Sequence, residues 1–273
     1  MRHKDFRKDR RPAPGRGPSA SPARTPGRRP DRAENWLYGL HAVQAALANP
    51  DRKSHRVVLT ARAAEILGEK LLSRVQVEPA DADAISKLLP PGAVHQGVAL
   101  ACDPLPPSDL DRVLGRDAGG RRRIVLVLDQ LSDPHNVGAI LRTAAAYAVD
   151  ALVLTDRHAP EFSGVLAKTA SGGLEHVPVV QVVNLARAME ELGEMGYQRV
   201  GLDSDGAAAL EDTPLSKPLA LVLGAEGAGL RRLTRENCDV MARLDMPGAI
   251  RSLNVSNACA VALSVARGKL RTA

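Results

Sequence analysis

Hydrophobic residues recur at helical spacing directly after the first 35 residues and then give way to short apolar runs. Apolar positions from Leu37 to Leu47 lie three or four residues apart, which predicts a first helix that begins near Trp36 and ends at Asn49-Pro50. The pattern then predicts alternating strands and helices, and Asp81 is suited to cap the second of these later helices. These elements are a strand over 56–60, a helix over 61–72, a strand over 75–77, a helix over 81–89 and a strand over 97–101.

The second half of the chain opens with an uninterrupted run of β-branched and leucine residues, Ile124 to Leu128. Such a run is typical of a strand that is buried on both faces of a parallel sheet. The chain ends in a predicted helix from about Leu253 to Lys269. Between them, helical segments separate further short apolar runs, at 151–154, 177–182, 200–202, 219–223 and 241–244. This alternation predicts an open α/β sheet.

The amino terminus differs in composition from the rest of the chain. Residues 1–33 contain eleven Lys or Arg and three Asp, so the formal charge of +6 for the whole chain leaves the remaining 240 residues near −2. Arg, Pro and Gly crowd this segment and apolar side chains are scarce, so it is predicted to be disordered. A polybasic tail gains affinity for RNA, DNA or a ribosomal surface by counterion release, and a purely solubilising extension is the alternative.

The same patterns predict a domain organisation and a compartment. No run approaches the roughly 18 apolar residues of a membrane span, and the amino terminus lacks the apolar core of a secretory signal, so a cytoplasmic location without membrane association is predicted. Cys102, Cys238 and Cys259 lack the paired spacings that bind zinc, which predicts reduced structural thiols and no metal. The predicted units are a tail (1–33), a small α/β domain (34–104), a Pro/Gly-rich linker (105–122) and a second α/β domain (123–273).

Ligands of open α/β sheets bind beyond the carboxyl ends of the strands, so the loops that follow strands are candidate sites. The first such loop runs from Asp129 into a helix at about Val137 and places Asn136 where a helix cap belongs. Gly138 permits the close approach of another backbone, and Arg142 lies about one and a half turns into the helix. By itself this segment is also compatible with an ordinary capped helix that carries a surface arginine.

A second loop places three glycines around one carboxylate, Glu226, directly after the strand at 219–223. Its order, G-x-x-G-x-G from Gly224 to Gly229, is neither the dinucleotide fingerprint nor a Walker loop. Such a loop exposes backbone donors. Taken alone, Glu226 has the alternative role of orienting the turn.

A third loop follows the strand that ends near Leu244 and passes through a Pro-Gly turn into a helix start rich in Ser and Asn. Ser252 and Asn254 are good cap residues, and capping alone would account for them.

Together the three loops carry N-x-G-x-x-x-R (136–142), G-x-E-G-x-G (224–229) and S-L-N-V-S (252–256). Motifs of these types in this order resemble the signature motifs of the SpoU branch of the SPOUT methyltransferases, over residues 124–266. In addition, Tyr38-Gly-Leu-His-Ala-Val43 and His95-Gln-Gly97 resemble the small RNA-binding domain of the family's ribosomal-RNA guanosine members. The resemblance thus covers nearly all of the chain that is predicted to be ordered.

The resemblance implies an α/β fold in which a trefoil-knotted SPOUT domain with a parallel sheet follows a small L30e-like α/β RNA-binding domain. It also implies a homodimer and an S-adenosyl-L-methionine-dependent transfer of methyl to a ribose 2'-hydroxyl of structured RNA, with a guanosine of large-subunit (23S) rRNA as the expected target. The matching motif positions that would bind the cofactor are Gly224, Leu244, Met246 and Leu253. This chain departs from the family at Asp245, which stands at a usual proline position.

The resemblance assigns the deprotonation of the ribose hydroxyl to Arg142, aided by a substrate phosphate, with Asn136, Glu226 and Asn254 holding the arginine and the ribose. Arginine normally stays protonated, so stabilisation of the forming oxyanion is the alternative role of Arg142. Three other functions remain as alternatives: a tRNA 2'-O-methyltransferase, a non-catalytic RNA-binding factor of ribosome assembly, and a nucleotide-dependent oxidoreductase. The last would need a glycine fingerprint after the first strand and an acidic residue about twenty positions later, a set that is absent.

Overall fold

The structure, a computed structural model, describes residues 35–115, 124–162 and 164–272. Two sheets organise these residues. The predicted disordered tail and residues 116–122 of the predicted linker lie outside the described residues. Within the described ranges, no helix is both long enough and apolar enough to cross a membrane.

The first sheet has four strands and belongs to residues 36–102, which we call the N-terminal module. Its elements are β1 (Trp36–Tyr38), α1 (Leu40–Ala48), β2 (Ser54–Leu59), α2 (Ala61–Leu67), α3 (Glu69–Leu72), β3 (Gln76–Pro79), α4 (Ala82–Ser86) and β4 (Val98–Cys102). The strand order is β1-β4-β2-β3, in which β4 is antiparallel to both neighbours and β2 is parallel to β3. Val43, Leu59 and Leu100 lie in the core of this module.

The prediction that the first helix begins near Trp36 is wrong. Trp36–Tyr38 form a strand, in which Leu37 lies opposite Leu100 of β4, and the helix begins only at Leu40. Gly39 separates the two elements with a φ of 93°, a left-handed conformation that glycine adopts without steric cost. The helical spacing gives the wrong start because Leu37, a buried strand residue, continues the periodicity of the helix.

The helix predicted over 61–72 is divided into α2 and α3 at Gly68, whose φ is 77°. Asp81 caps α4 as predicted, because its side chain accepts a hydrogen bond from the backbone N–H of Ala84 at 2.8 Å. The segment predicted to be a linker contains a short helix, α5 (Leu110–Leu114).

The second sheet has seven strands and belongs to residues 124–272, which we call the C-terminal module. Its strands are β5 (Ile124–Asp129), β6 (Ala151–Thr155), β7 (Val179–Val182), β8 (Gln198–Leu202), β9 (Ala208–Ala209), β10 (Leu219–Gly224) and β11 (Val240–Arg243). Its helices are α6 (Pro134–Ala146), α7 (Gly164–Ala170), α8 (Gly173–His176), α9 (Leu185–Glu194), α10 (Arg232–Glu236) and α11 (Val255–Thr272), and a 3-10 turn follows β6.

The strand order of this sheet is β7-β6-β5-β10-β8-β11-β9, and every pairing between its strands is parallel. The open α/β sheet predicted from the apolar runs is therefore confirmed. Strand β9 was not predicted, because two residues are too few to give a pattern. Side chains of β5 alternate between two cores, with Val125 and Val127 in one and Leu126 and Leu128 in the other.

Two glycines allow the helices on one face of this sheet to approach closely. A Cβ at Gly138 of α6 would lie 2.8 Å from the carbonyl oxygen of Leu166 in α7. A Cβ at Gly173 of α8 would lie 2.6 Å from the carbonyl oxygen of Leu141. Both distances are shorter than a real Cβ contact, so the predicted close backbone approach at Gly138 is confirmed.

Strands β5 and β10 are neighbours although about ninety residues separate them along the chain. Asp129, the last residue of β5, lies opposite Gly224, the last residue of β10. The loops that leave these two strands therefore begin side by side at the carboxyl edge of the sheet, where the candidate site is expected.

Candidate active site

The first candidate loop enters α6 through a cap that differs from the predicted one. Asp133 is the N-cap, because its side chain accepts a hydrogen bond from the backbone N–H of His135 at 3.0 Å, and Pro134 follows as the first helical residue. The prediction of Asn136 as the cap is thus wrong. Asn136 lies in the first turn, so its side-chain amide is available for other contacts.

The second candidate loop doubles back on itself immediately after β10. The backbone N–H of Gly229 donates to the carbonyl oxygen of Ala225 at 2.9 Å, and Gly227 and Gly229 have positive φ. A Cβ at Gly224 would lie 2.2 Å from the carbonyl carbon of Gly229, so this reversal requires glycine. The turn carries Glu226 between its two ends.

Three residues, one from each candidate loop, meet at a single carboxylate oxygen. Oε1 of Glu226 accepts hydrogen bonds from Nδ2 of Asn254 at 2.6 Å and from Nδ2 of Asn136 at 3.3 Å. The backbone N–H of Val255 donates to the same oxygen at 3.2 Å. The Asn254 amide also donates to Oδ1 of Asn136 at 2.9 Å. We call Asn136, Glu226 and Asn254 the carboxylate cluster.

Asn254 has a second role at the start of α11. Its Oδ1 accepts hydrogen bonds from the backbone N–H of Ser256 at 3.0 Å and from the Ser256 hydroxyl at 2.5 Å. The predicted capping role of Asn254 is therefore confirmed. Ser252, the other predicted cap residue, is exposed and makes no hydrogen bond with the described residues.

Arg142 makes no hydrogen bond with the carboxylate cluster. Its side chain is exposed and forms no ion pair or hydrogen bond within the described part of the chain. It follows Asn136 by six helical positions, which corresponds to about 9 Å along the helix and about 120° around it. The guanidinium is thus free to bind an anion from outside these residues.

Sequence reasoning did not identify an ion pair between a buried carboxylate and a partly exposed arginine that supports the second loop. Asp129 is fully buried, and its carboxylate accepts from the backbone N–H of Arg231 at 2.9 Å and from Nε of Arg231 at 2.7 Å. These bonds fix the far end of the loop beside the end of β5. The available signal was a single aspartate that ends a run of five apolar residues.

The third candidate loop, residues 244–253, leaves its backbone groups available. None of these residues exchanges a backbone hydrogen bond with any part of the chain that the structure describes. Two apolar side chains of this loop are exposed, Ile250 by 77% and Leu253 by 42%, whereas Leu244 and Met246 are half-buried.

The residue that departs from the family pattern, Asp245, has a clear partner. Its Oδ1 accepts a hydrogen bond from Nε of Arg243 at 2.9 Å. The Nη1 of the same arginine donates to the carbonyl oxygens of Gly206 and Ala207, both at 3.1 Å. An ion pair therefore holds the exit of β11 at the position where the chain departs from the family pattern.

Two family models match the chain. The model described as "SpoU rRNA Methylase family" matches residues 123–264. The model described as "RNA 2'-O ribose methyltransferase substrate binding" matches residues 36–108. The chain belongs to the SpoU rRNA methylase family. The first match spans the carboxylate cluster, and the second contains β1 to β4 of the N-terminal module.

Curated relatives in the SpoU family share nearly their whole length with this chain. A protein from Vibrio cholerae named 23S rRNA (guanosine-2'-O-)-methyltransferase RlmB is 38% identical over 83% of this chain and 94% of its own length. A protein of the same name from Xylella fastidiosa is 36% identical over 85% of this chain and 96% of its own. The SpoU methyltransferase AviRb from Streptomyces viridochromogenes, solved in complex with AdoMet, shares the fold, with a TM-score of 0.72, 24% identity and coverage of 87% and 91% of the two chains.

The third loop offers surfaces of the kind found in small-molecule sites. Exposed apolar side chains can cover an adenine ring, and free backbone N–H and C=O groups can bind its polar edge. The reversal at Gly224 brings a second backbone to the neighbouring strand end. These features fit an adenosyl group.

The cysteines of this SpoU-family chain lie outside the site. All three are free, and Cys102 and Cys259 are buried. Burial raises the pKa of Cys102 to about 11 and the pKa values of Cys238 and Cys259 to about 12. Among the described residues no cluster of His, Cys, Asp and Glu is arranged to hold a metal ion.

Proposed function

We propose that this chain transfers the methyl group of S-adenosylmethionine to the ribose 2'-hydroxyl of a guanosine in 23S rRNA. The observation that carries the proposal is the carboxylate cluster, in which Asn136 and Asn254 converge on one oxygen of Glu226 at the carboxyl edge of a parallel sheet. The names of the Vibrio and Xylella relatives, together with the substrate-binding match over 36–108, support the choice of substrate.

The proposed cofactor residues are Gly224, Leu244, Met246 and Leu253. Leu253 and the neighbouring Ile250 would cover the adenine, and the free backbone of the third loop would bind its polar atoms. When bound, S-adenosylmethionine supplies a methyl group on a sulfonium that is already activated for attack by an oxygen nucleophile. The chain itself must then align a ribose hydroxyl with that methyl and assist the loss of the proton from that hydroxyl.

We assign Arg142 to the substrate phosphate and to the developing negative charge on the ribose oxygen. A guanidinium keeps its proton at neutral pH and presents a planar fork of donors that suits a phosphate. Arg142 is exposed and has no anionic partner among the described residues, so it is available for that contact. Charge that forms at the oxygen would be stabilised by donors already in place.

We assign to Glu226 the role of binding the ribose of the substrate. Its Oε1 is saturated by three donors, whereas its Oε2 accepts no hydrogen bond from any described residue. Oε2 is therefore the atom through which the cluster would accept a hydrogen bond from a substrate hydroxyl. Asn136 and Asn254 would fix the direction of that oxygen.

The proposal includes a cytoplasmic homodimer with a trefoil knot in the C-terminal module. The exposed apolar side chain of Val261 on α11, the helix that the third loop enters, supports a subunit interface close to the site. Light scattering after gel filtration would measure the mass: about twice the chain mass of 28.9 kDa supports the dimer, and the monomer mass would contradict it.

The decisive experiment is transfer of labelled methyl to unmodified 23S rRNA and, separately, to bulk tRNA, followed by nucleoside mapping. Label in 2'-O-methylguanosine of the rRNA supports the proposal. Label in tRNA alone would retain the chemistry and replace the substrate. No label in either RNA would favour a non-catalytic RNA-binding protein.

A further inference from the structure

A buried ion pair joins the two modules. Arg52 lies in the N-terminal module between α1 and β2, and Glu175 lies in α8 of the C-terminal module. Nη2 of Arg52 pairs with Oε1 of Glu175, and Nε of Arg52 donates to Oε2 at 3.3 Å. The two side chains are only 2% and 3% exposed. This pair is far more buried than the exposed pair formed by Arg187 and Glu191.

Hydrogen bonds surround this ion pair on both sides. Nδ2 of Asn49, also from the N-terminal module, donates to Oε2 of Glu175 at 2.7 Å. The remaining Nη1 of Arg52 donates to the carbonyl oxygen of Asp103 at 3.0 Å. A planar guanidinium that meets a carboxylate through two nitrogens accepts a narrow range of orientations, so the pair fixes a direction as well as a distance.

Two glycines allow the modules to approach each other closely at other points of their contact. A Cβ at Gly164 of α7 would lie 2.4 Å from the ring of Tyr38 and 2.5 Å from the carbonyl oxygen of Trp36. A Cβ at Gly172 would lie 2.9 Å from the Cβ of Ala45 in α1. The N-terminal module therefore packs on α7 and α8, the helices that also pack against α6.

The energetics of buried ion pairs indicate what the pair of Arg52 and Glu175 contributes to the folded chain. The free-energy cost of removing both charges from water offsets much of their electrostatic attraction. Replacement of such a pair by apolar side chains is therefore often neutral for stability. Removal of one partner leaves an uncompensated buried charge and is costly. A pair of this kind therefore contributes more to orientation than to net stability.

We propose that Arg52 and Glu175 are positioning residues that lock the N-terminal module onto the C-terminal module, so that RNA bound by the first is presented to the second in one orientation. The inference rests on the proposed function for its consequence in catalysis. The fixed arrangement of the two modules, which we call the lock, is a property of the chain without substrate. It predicts a single, narrow arrangement of the two modules in solution.

The arrangement can be measured by electron-spin distance spectroscopy on the full chain. Glu65→Cys in α2 and Glu190→Cys in α9 place one spin label on an exposed position of each module. The native thiols have raised pKa values and react slowly with a thiol-specific label. Dilution with unlabelled chain suppresses distances between subunits. A single narrow distance supports the lock, and a broad distribution in the otherwise unchanged chain would overturn it.

Two variants separate orientation from stability. Glu175→Ala should broaden the distance distribution, and the double variant Arg52→Met/Glu175→Leu should broaden it while the melting temperature stays near that of the parent chain. Gly164→Ala, which wedges Tyr38 away from α7, should act in the same direction. Glu191→Ala in the exposed ion pair and Gly268→Ala, whose Cβ meets open space, are the matched controls and should change nothing.

Methyl transfer to a 23S rRNA transcript provides the second readout. For the double variant, kcat/KM for RNA should fall roughly tenfold to a hundredfold, as expected for a small misplacement of substrate, while the Kd for S-adenosylmethionine measured by calorimetry changes less than twofold. A double variant with the parent's activity and narrow distance would overturn the inference. If the parent chain methylates no RNA, the proposed function fails, and the distance measurement alone still decides whether the lock exists.

Discussion

The side-chain amide of Asn254 donates to Oε1 of Glu226 at 2.6 Å and so ties the turn after β10 to the first turn of α11. The two residues belong to different loops, each of which carries proposed cofactor residues. Asn136 adds a third loop through the same oxygen. One carboxylate thus determines the relative placement of all three loops.

Replacement of Glu226 should test this role directly. Glu226→Ala leaves three donors without their acceptor, so we expect weaker binding of S-adenosylmethionine and a fall of about 10²-fold in kcat/KM. Glu226→Gln retains one carbonyl oxygen and should lose less of either. Calorimetry and methyl transfer measure the two effects, with the exposed Glu65→Ala as the control. Equal loss in the Ala and Gln variants would contradict a positioning role for Oε1.

Arg142→Ala should abolish methyl transfer, with a loss of at least about 10²-fold in kcat, because a donor to developing charge is removed. The side chain is exposed and has no partner among the described residues, so the melting temperature should not change. Arg187→Ala, at an exposed position of α9, is the control and should retain full activity. Loss of folding together with activity in Arg142→Ala would overturn the assignment.

Asp129→Ala should lower the free energy of unfolding by about 2 kcal/mol, because the backbone N–H and the Nε of Arg231 both lose their buried acceptor. The control, Glu236→Ala, breaks an exposed ion pair with Arg232 and should cost under about 0.5 kcal/mol. Urea unfolding of both variants measures the difference. Two equal values would show that the pair formed by Asp129 and Arg231 does not stabilise the loop.

Stability at acid pH should depend on Asp239. Hydrogen bonds from the side chain of Arg199 lower the pKa of the Asp239 carboxyl below its ordinary value. A carboxyl whose pKa is depressed on folding contributes stability above its unfolded pKa, about 3.9, and loses it as pH falls through the folded value. The urea midpoint should therefore drop less between pH 7 and pH 3 in Asp239→Asn than in the parent chain. An equal drop in both would assign the acid sensitivity to other groups.

The sequence predicted the larger part of this fold because continuous apolar runs are strong signals for buried parallel strands. Each strand predicted after Ile124 is present, whereas the helical period that Leu37 continues predicts a helix where the structure has β1. The helix cap at Asp133 was missed because Asn136 is an equally good cap residue. Local patterns do not distinguish two neighbouring candidates for the same role.

For the site, the sequence identified three loops, and the structure brings one residue of each into contact. The contacts span between 28 and 118 residues of chain, which no local pattern can encode. Helix geometry places Arg142 and Asn136 on different sides of α6, but the absence of a hydrogen bond between Arg142 and the cluster is visible only in the structure. The Asp129 and Arg231 pair was missed because an aspartate at a strand end has many possible partners.

The place of β10 in the sheet has a consequence for synthesis of the protein. It is inserted between β5 and β8, both of which precede it in the chain. While the ribosome makes the intervening residues, roughly 5 to 18 s at about 5–20 residues per second, the open edge of β5 has no strand to pair with. A nascent chain in that interval carries an apolar strand edge of the kind that promotes aggregation. Chaperone demand should therefore peak before residue 224 emerges and fall once β10 closes the gap.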